Sequence, residues 1–348
     1  MKILYGVQGT GNGHIARARA MANALKQRGV AVDFLFSGRE ADRYFSMEAF
    51  GEFRTCRGLT FATEKGRVSY VKTAINNSLL QLKREIDSLD LSAYDLVIND
   101  FEPVSAWAAK KQHKTCISIS HQNAFRYPVP LKGASWLDKQ VLQYFAPADI
   151  HIGLHWYHFD QPILPPIVNT VQQSSANRDF ILVYLPFEQV EEICELLWRF
   201  QGQRFLCYHP DLLDTEVLEN VELRALNHQA FQADLHACSG VIANGGFELP
   251  SEALSLGKKL LVKPLQGQFE QQSNVATLET LGLASVMDSL DAPVVRAWLE
   301  EEHAESVTYP DVAAAISDWL LQGDWSSQQE LSRRLWERVD FPSYVSNL

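Results

Sequence analysis

The chain opens on an apolar run, Ile3 to Val7, that stops at a glycine cluster, Gly9-Thr-Gly11-Asn-Gly13, and then changes period. Ile15, Ala18, Ala22 and Leu25 recur near helical spacing across residues 14 to 28, and Gly29 is placed to end that helix. Val30 to Phe36, Tyr94 to Asn99 and Thr115 to Ser120 read as further strands. Between them the pattern predicts a helix over roughly Tyr70 to Ser88 and another around Trp107 after Pro103. Apolar strands alternating with helices predict a parallel sheet covered on both faces.

The alternation breaks at QPILPPIVNTVQQSSANR, residues 161 to 178, where prolines give way to a polar run. It then restarts. DFILVYLPF is a strand, EQVEEICELLWRF a helix ended by Gly202, and QRFLCYHP a strand. VELRAL, GVIANGG and KLLVKP are further strands, with SEALSLG a helix between the last two. The expected organisation is a first α/β domain over 1–165, a linker over 166–178, and a second α/β domain over 179–320. A Trp-rich helical tail, 321–348, follows and is free to return to the first domain. Two parallel sheets with glycine loops at their carboxyl ends make a cleft that can close on ligands.

Composition narrows the classes. A formal charge of −11, from 31 basic and 42 acidic residues, disfavours non-specific nucleic-acid binding. Five scattered cysteines without a C-x-x-C pair fit a reducing compartment. No run approaches the length of a transmembrane helix, and the start lacks a secretory core. The pattern thus points to a cytoplasmic protein and leaves peripheral contact with the inner face of a membrane open. Nothing in it reads out an oligomeric state.

The first glycine loop admits three readings. A Walker A loop needs lysine after its last glycine, and here His14 follows. A dinucleotide fingerprint needs G-x-G-x-x-G and an acid ending the second strand. Asp33 instead lies inside a strand that ends Leu35-Phe36-Ser37-Gly38. The third reading seats His14 at a sheet edge as a general base, with glycines leaving room for an approaching molecule. Asp100, directly after the strand DLVIN, would orient the imidazole, with Glu102 as the alternative. A capping or packing role for His14, and a helix-capping role for Asp100, stay open.

In the second half, Gly245 and Gly246 follow a strand, and a helix starts near Pro250 with Glu252 in its first turns. Such a helix start can bind phosphate, and a carboxylate there can hold a ribose diol. Helix capping is the competing role for Glu252. Glu270, Gln271, Gln272 and Asn274 form a polar cluster suited to hydroxyl groups or simply to solvent.

With Gly11-Asn-Gly13-His14, Asn244-Gly-Gly246 followed by Glu252, and Glu270-Gln271-x-x-Asn274 in place, the sequence resembles GT-B glycosyltransferases of the MurG and UDP-glycosyltransferase kind. It is most similar to a poorly characterised bacterial and archaeal branch. The resemblance implies two facing Rossmann-like domains and inverting transfer of a sugar, from a nucleotide-sugar that is UDP-linked, to an acceptor hydroxyl. It assigns His14 as general base and Asp100 as its supporting acid. Around the donor it places Asn244, Gly245, Gly246, Phe247 and Ser251 on the diphosphate and Glu252 on the ribose. Glu270 and Gln271 would meet the sugar, and Leu226 and Gln229 the nucleobase. Gly11, Asn12 and Gly13 would face the acceptor. From its own place after a strand in SISHQNAFRYP, His121 is a further candidate for the acceptor pocket, and Arg126 suits either an acceptor anion or ordinary surface charge. Asn244 stands where many relatives have histidine, Leu226 where plant members have tryptophan, and the acidic Glu248 falls close to the expected diphosphate.

No Asp-x-Asp occurs, so neither a metal nor another cofactor is required. His151, His155 and His158 have a spacing that zinc can use on a helix. The alternation over Asp149 to Leu154 favours instead a strand, with His151 toward solvent, and then an aromatic loop. A nucleotide-sugar epimerase or hydrolase of the same fold, drawing on His209, Asp211 and Glu270, is the alternative activity. A non-catalytic nucleotide-sugar-binding protein is the alternative class. Arg57, Lys65, Arg67, Lys72, Lys83 and Arg84 suit either an anionic lipid-linked acceptor or a solvated face.

Overall fold

The computed structural model describes residues 1–44, 46–59, 63–64, 67–68, 78–168, 178–302 and 304–345. Lys65 and Lys72, and the first part of the helix expected from Tyr70, lie outside them.

The first sheet is built from β1 (Lys2–Gln8), β2 (Ala31–Ser37), β3 (Phe53–Cys56), β6 (Leu96–Asp100), β7 (Cys116–Ser120) and β8 (Ile150–Gly153). Their order is β3-β2-β1-β6-β7-β8, all parallel, and a small hairpin of β4 (Thr63–Glu64) and β5 (Arg67–Val68) stands apart. A central parallel strand is covered on both faces, which is why β1 and β6 read as unbroken apolar runs. Ile3, Tyr5 and Val7 pack on one side of β1 and Leu4 on the other.

The second sheet repeats the plan with β9 (Ile181–Tyr184), β10 (Phe205–Tyr208), β11 (Glu216–Leu218), β12 (Val221–Arg224), β13 (Gly240–Asn244), β14 (Lys259–Lys263) and β15 (Ser285–Val286). The order is β11-β12-β10-β9-β13-β14-β15, parallel except for β11 at the edge. Strand order reverses between β1 and β6 in one sheet and between β9 and β13 in the other. Crevices open at such points beyond the carboxyl ends of the strands.

One hydrophobic cluster joins the two halves, running from Ile3 and Met21 through Trp156 to Phe247, Leu254 and Trp319. The chain end contributes to the first half. Asp318 pairs with Arg28 at the end of α1 (Asn12–Gln27), and Ser332 Oγ and Trp336 Nε1 both donate to Ile163 O at 2.7 Å. Among the described residues, no helix is long and apolar enough to cross a membrane.

Glu102 caps the helix Pro103–Lys111 from a fully buried position. It accepts from Val104 N at 2.7 Å and from Ser105 N, Ser105 Oγ and Ser37 Oγ at 2.6 Å each. Capping therefore falls to Glu102, which leaves Asp100 free and removes Glu102 as the partner of His14. Burial pushes the Glu102 carboxyl above its ordinary value, against these hydrogen bonds. Glu102→Ala strips four donors of their acceptor and should cost about 2 kcal/mol or more. Urea unfolding checks this, and an unchanged midpoint would contradict it.

Candidate functional site

The first glycine loop turns from β1 into α1, and β6 lies beside β1 with Val7 level with Asp100. That register brings the end of β6 under the start of α1. His14 Nδ1 lies 2.8 Å from Asp100 Oδ1. The ring is 13% exposed and Asp100 is wholly buried, so the imidazole reaches the surface through its other edge.

A third group, absent from the sequence expectation, completes the cluster. Arg17, one turn after His14 on α1, lies buried and grips Asp100 with both arms: Nε to Oδ2 at 2.8 Å and Nη2 to Oδ1 at 2.9 Å. Arg17 Nη2 also comes within 3.0 Å of His14 Nδ1, but the charged carboxylate beside it is the stronger acceptor. Burial pushes the Asp100 carboxyl up, but the charges and hydrogen bonds of Arg17 and His14 outweigh it and hold the group below the ordinary aspartate value. An ionised Asp100 fixes Nδ1 of His14 as the donor and leaves Nε2 to accept a proton. The sequence signal for Arg17 was its i+3 spacing from His14 within a helix face of small and apolar residues.

Across the cleft, Asn244 ends β13, and the helix Glu248–Ser255 starts after Gly245 and Gly246. No side chain caps that helix start. A Cβ on Gly245 would meet Val275 Cγ2 at 2.7 Å and Gln271 O at 2.9 Å, whereas one on Gly246 would meet nothing within 4 Å. The turn is thus packed beneath and open above. Asn244 spends its amide on Lys263 O at 3.1 Å. Glu252 accepts from Gln232 Nε2 at 3.0 Å, four residues into the helix. Burial raises its pKa, with Gln232 and the charge of Arg19 opposing. Leu226 packs half-buried against the core and Gln229 is exposed in the first turn of the helix His228–Ala237.

Several expected ligands are instead occupied inside the protein. Phe247 is buried and stacks on His121, with ring centroids 3.9 Å apart. Ser251 Oγ accepts from Trp156 Nε1 at 2.8 Å. His121 is buried, with Nδ1 2.8 Å from Leu154 O and Nε2 2.6 Å from Asn274 Oδ1. Two facing oxygens favour a protonated ring, but burial dominates and lowers its pKa. His121 is therefore part of the packing between the halves and does not line an open acceptor pocket. Asn274 Nδ2 in turn donates to Gly245 O at 3.0 Å.

Gln271 is buried and its Oε1 accepts from Leu265 N at 2.8 Å, while Glu270 receives Gln122 Nε2 at 3.2 Å on both oxygens. Arg126 is exposed and donates to Leu142 O at 2.7 Å. Asn12 Oδ1 takes both Arg39 nitrogens, at 3.3 and 3.2 Å. Gly11 is the extended N-cap of α1, and a Cβ there would have only His14 Cδ2 within 4 Å. His209 is buried under Glu188 O and Asp211 is exposed.

His151 lies on β8 as the alternation requires, but it is half-buried, not solvent-facing, and sits 3.2 Å from Asn123 Oδ1. Burial, assisted by Arg126, pushes its pKa down to about 4. His155 is buried elsewhere, 3.4 Å from Thr277 Oγ1. Among the described residues, no group of three or more His, Cys, Asp or Glu is placed to hold a metal ion.

The profile described as glycosyl transferase family 1 matches residues 1–301. The glycosyltransferase SnogD from Streptomyces nogalater is similar at 18% identity, covering 97% of this chain and 99% of that one, with a TM-score of 0.57. UGT89C1 from Arabidopsis thaliana, in complex with UDP, is similar at 15% identity over 97% and 99% of the two chains, with a TM-score of 0.58. The kitacinnamycin glycotransferase is similar at 14% identity over 97% of each chain, with a TM-score of 0.60. At these identities the likeness is one of fold, and that fold is GT-B. No curated protein matches the chain.

Because Asp100 is held below its ordinary carboxyl value, the stability that its ionised form contributes is full above pH 3.8 and is lost as pH falls through the depressed value. Asp100→Asn should therefore be markedly less stable than the parent at neutral pH. The gap should close only below the ordinary aspartate range. Denaturation across a pH series checks it, and a gap that persists unchanged in acid would contradict it.

Proposed function

The chain belongs to glycosyl transferase family 1, and from that premise we propose that it is an inverting enzyme acting on a UDP-linked sugar without a metal. The observation that carries the reading is the His14–Asp100 pair at the carboxyl edge of one sheet, facing the uncapped helix start at residue 248 on the other.

His14 Nε2 takes the proton of an acceptor hydroxyl as that oxygen attacks the anomeric carbon from the face opposite the leaving diphosphate. Asp100 keeps the proton on Nδ1 and stabilises the imidazolium that forms, as an orienting carboxylate does. The diphosphate departs toward the helix start after Gly246, where the positive end of the helix dipole meets its growing charge. Glu252, four residues on, holds the ribose hydroxyls. Single displacement needs no protein nucleophile and inverts the centre.

A thermal-shift comparison of UDP-, dTDP- and GDP-sugars selects the donor, with the UDP sugars expected to stabilise the protein. His14→Ala should lower transfer at least about a hundredfold while UDP affinity holds. Glu252→Ala should weaken UDP binding about tenfold. Undiminished transfer by the first variant, or unchanged UDP affinity in the second, would remove those roles.

A further inference from the structure

Glu248 is the first residue of the second-domain helix, in the place where an acid should repel a diphosphate. Its carboxylate does not face that place. Oε1 pairs with Arg17 Nη1, and Oε2 lies against Gly13, where any Cβ would fall within 2.4 Å of it. Glu248 is 17% exposed and Arg17 is 2% exposed. α1 begins at an N-cap, Gly11, whose side makes no capping bond, and has no acid in its first turn. The start of the helix Glu248–Ser255 is likewise uncapped by any side chain. The Glu248 carboxylate is therefore the anion presented to the positive start of α1 and to Arg17, and its own helix start is left without one.

We propose that Glu248 is an interdomain latch and a positioning residue for the base. Its carboxylate docks in a receptor formed by Gly13, Arg17 and the start of α1, and so couples closure of the cleft to the alignment of His14. The connection is continuous: Glu248 holds Arg17, Arg17 holds Asp100, and Asp100 holds His14. When the second domain swings away, the buried Arg17 keeps Asp100 but its Nη1 loses the Glu248 carboxylate that it donates to. The base is thus held firmly only when the donor helix is in place. Gly13 provides room, but for this carboxylate and not for an acceptor. The consequence for catalysis rests on the transferase reading, while the latch itself does not.

The test uses the full chain without substrate. Small-angle X-ray scattering and amide exchange are compared for the parent, Glu248→Gln, Gly13→Ala and the double variant. Each single variant should enlarge the radius of gyration and speed exchange of the amides at 247–252 roughly tenfold. The double variant should be no more open than either single one, because both changes break one contact. The Nδ1 proton of His14, followed by imidazole NMR, should exchange faster in Glu248→Gln although that residue does not touch the ring. Addition of UDP then reports nucleotide binding separately. A parent that ignores UDP would sink the UDP-donor reading and leave the latch comparison standing. Variants that scatter like the parent, additive opening in the double variant, or a His14 proton unchanged in Glu248→Gln would overturn the latch.

Discussion

The buried pair of Arg17 and Asp100 is the constraint on which the rest of the site depends. Neither charge has bulk water to solvate it, and removing one partner of such a pair typically costs about 3–5 kcal/mol. The fold meets that demand by surrounding the two groups with each other, His14 and Glu248. The histidine is then oriented as a by-product of satisfying a buried charge. This couples stability to chemistry, because Asp100, the carboxylate that balances Arg17, also fixes which imidazole nitrogen is free.

The two halves of the protein contribute unlike things to the cleft. The first supplies a hydrogen-bonded charge cluster at the end of β1 and β6. The second supplies a turn that is packed below by Val275 and Gln271 and open above Gly246. Contacts from the first half then brace that turn: His121 stacks on Phe247, Trp156 bonds Ser251, and His121 reaches Gly245 through Asn274. Residues that look like ligands in the sequence thus become the frame that holds the ligand-facing backbone.

The parallel sheets and the His14–Asp100 pair were legible because both follow from local rules. Continuous apolar runs mark buried strands, and a residue that ends a strand next to β1 must lie at the same sheet edge as the loop after β1. The fates of His121, Phe247 and Ser251 were not legible, since each is decided by a partner more than 90 positions away. Glu102 shows the same limit at short range. Both Asp100 and Glu102 can cap a helix on paper, and only the path of the chain through Phe101, at a positive φ of 52°, decides which carboxylate turns to the helix and which to His14. Glu248 seemed misplaced beside a diphosphate because its partner, Arg17, lies 231 residues earlier.

Everything in this scheme requires that Asp100 and Arg17 hold His14 with its proton on Nδ1 and Nε2 bare. Imidazole nitrogen NMR of the full-length protein with UDP bound measures this directly. A protonated Nδ1 in slow exchange and an unprotonated Nε2 are expected at neutral pH. A His14 protonated on Nε2 instead, or one unaffected by Asp100→Asn, would contradict it.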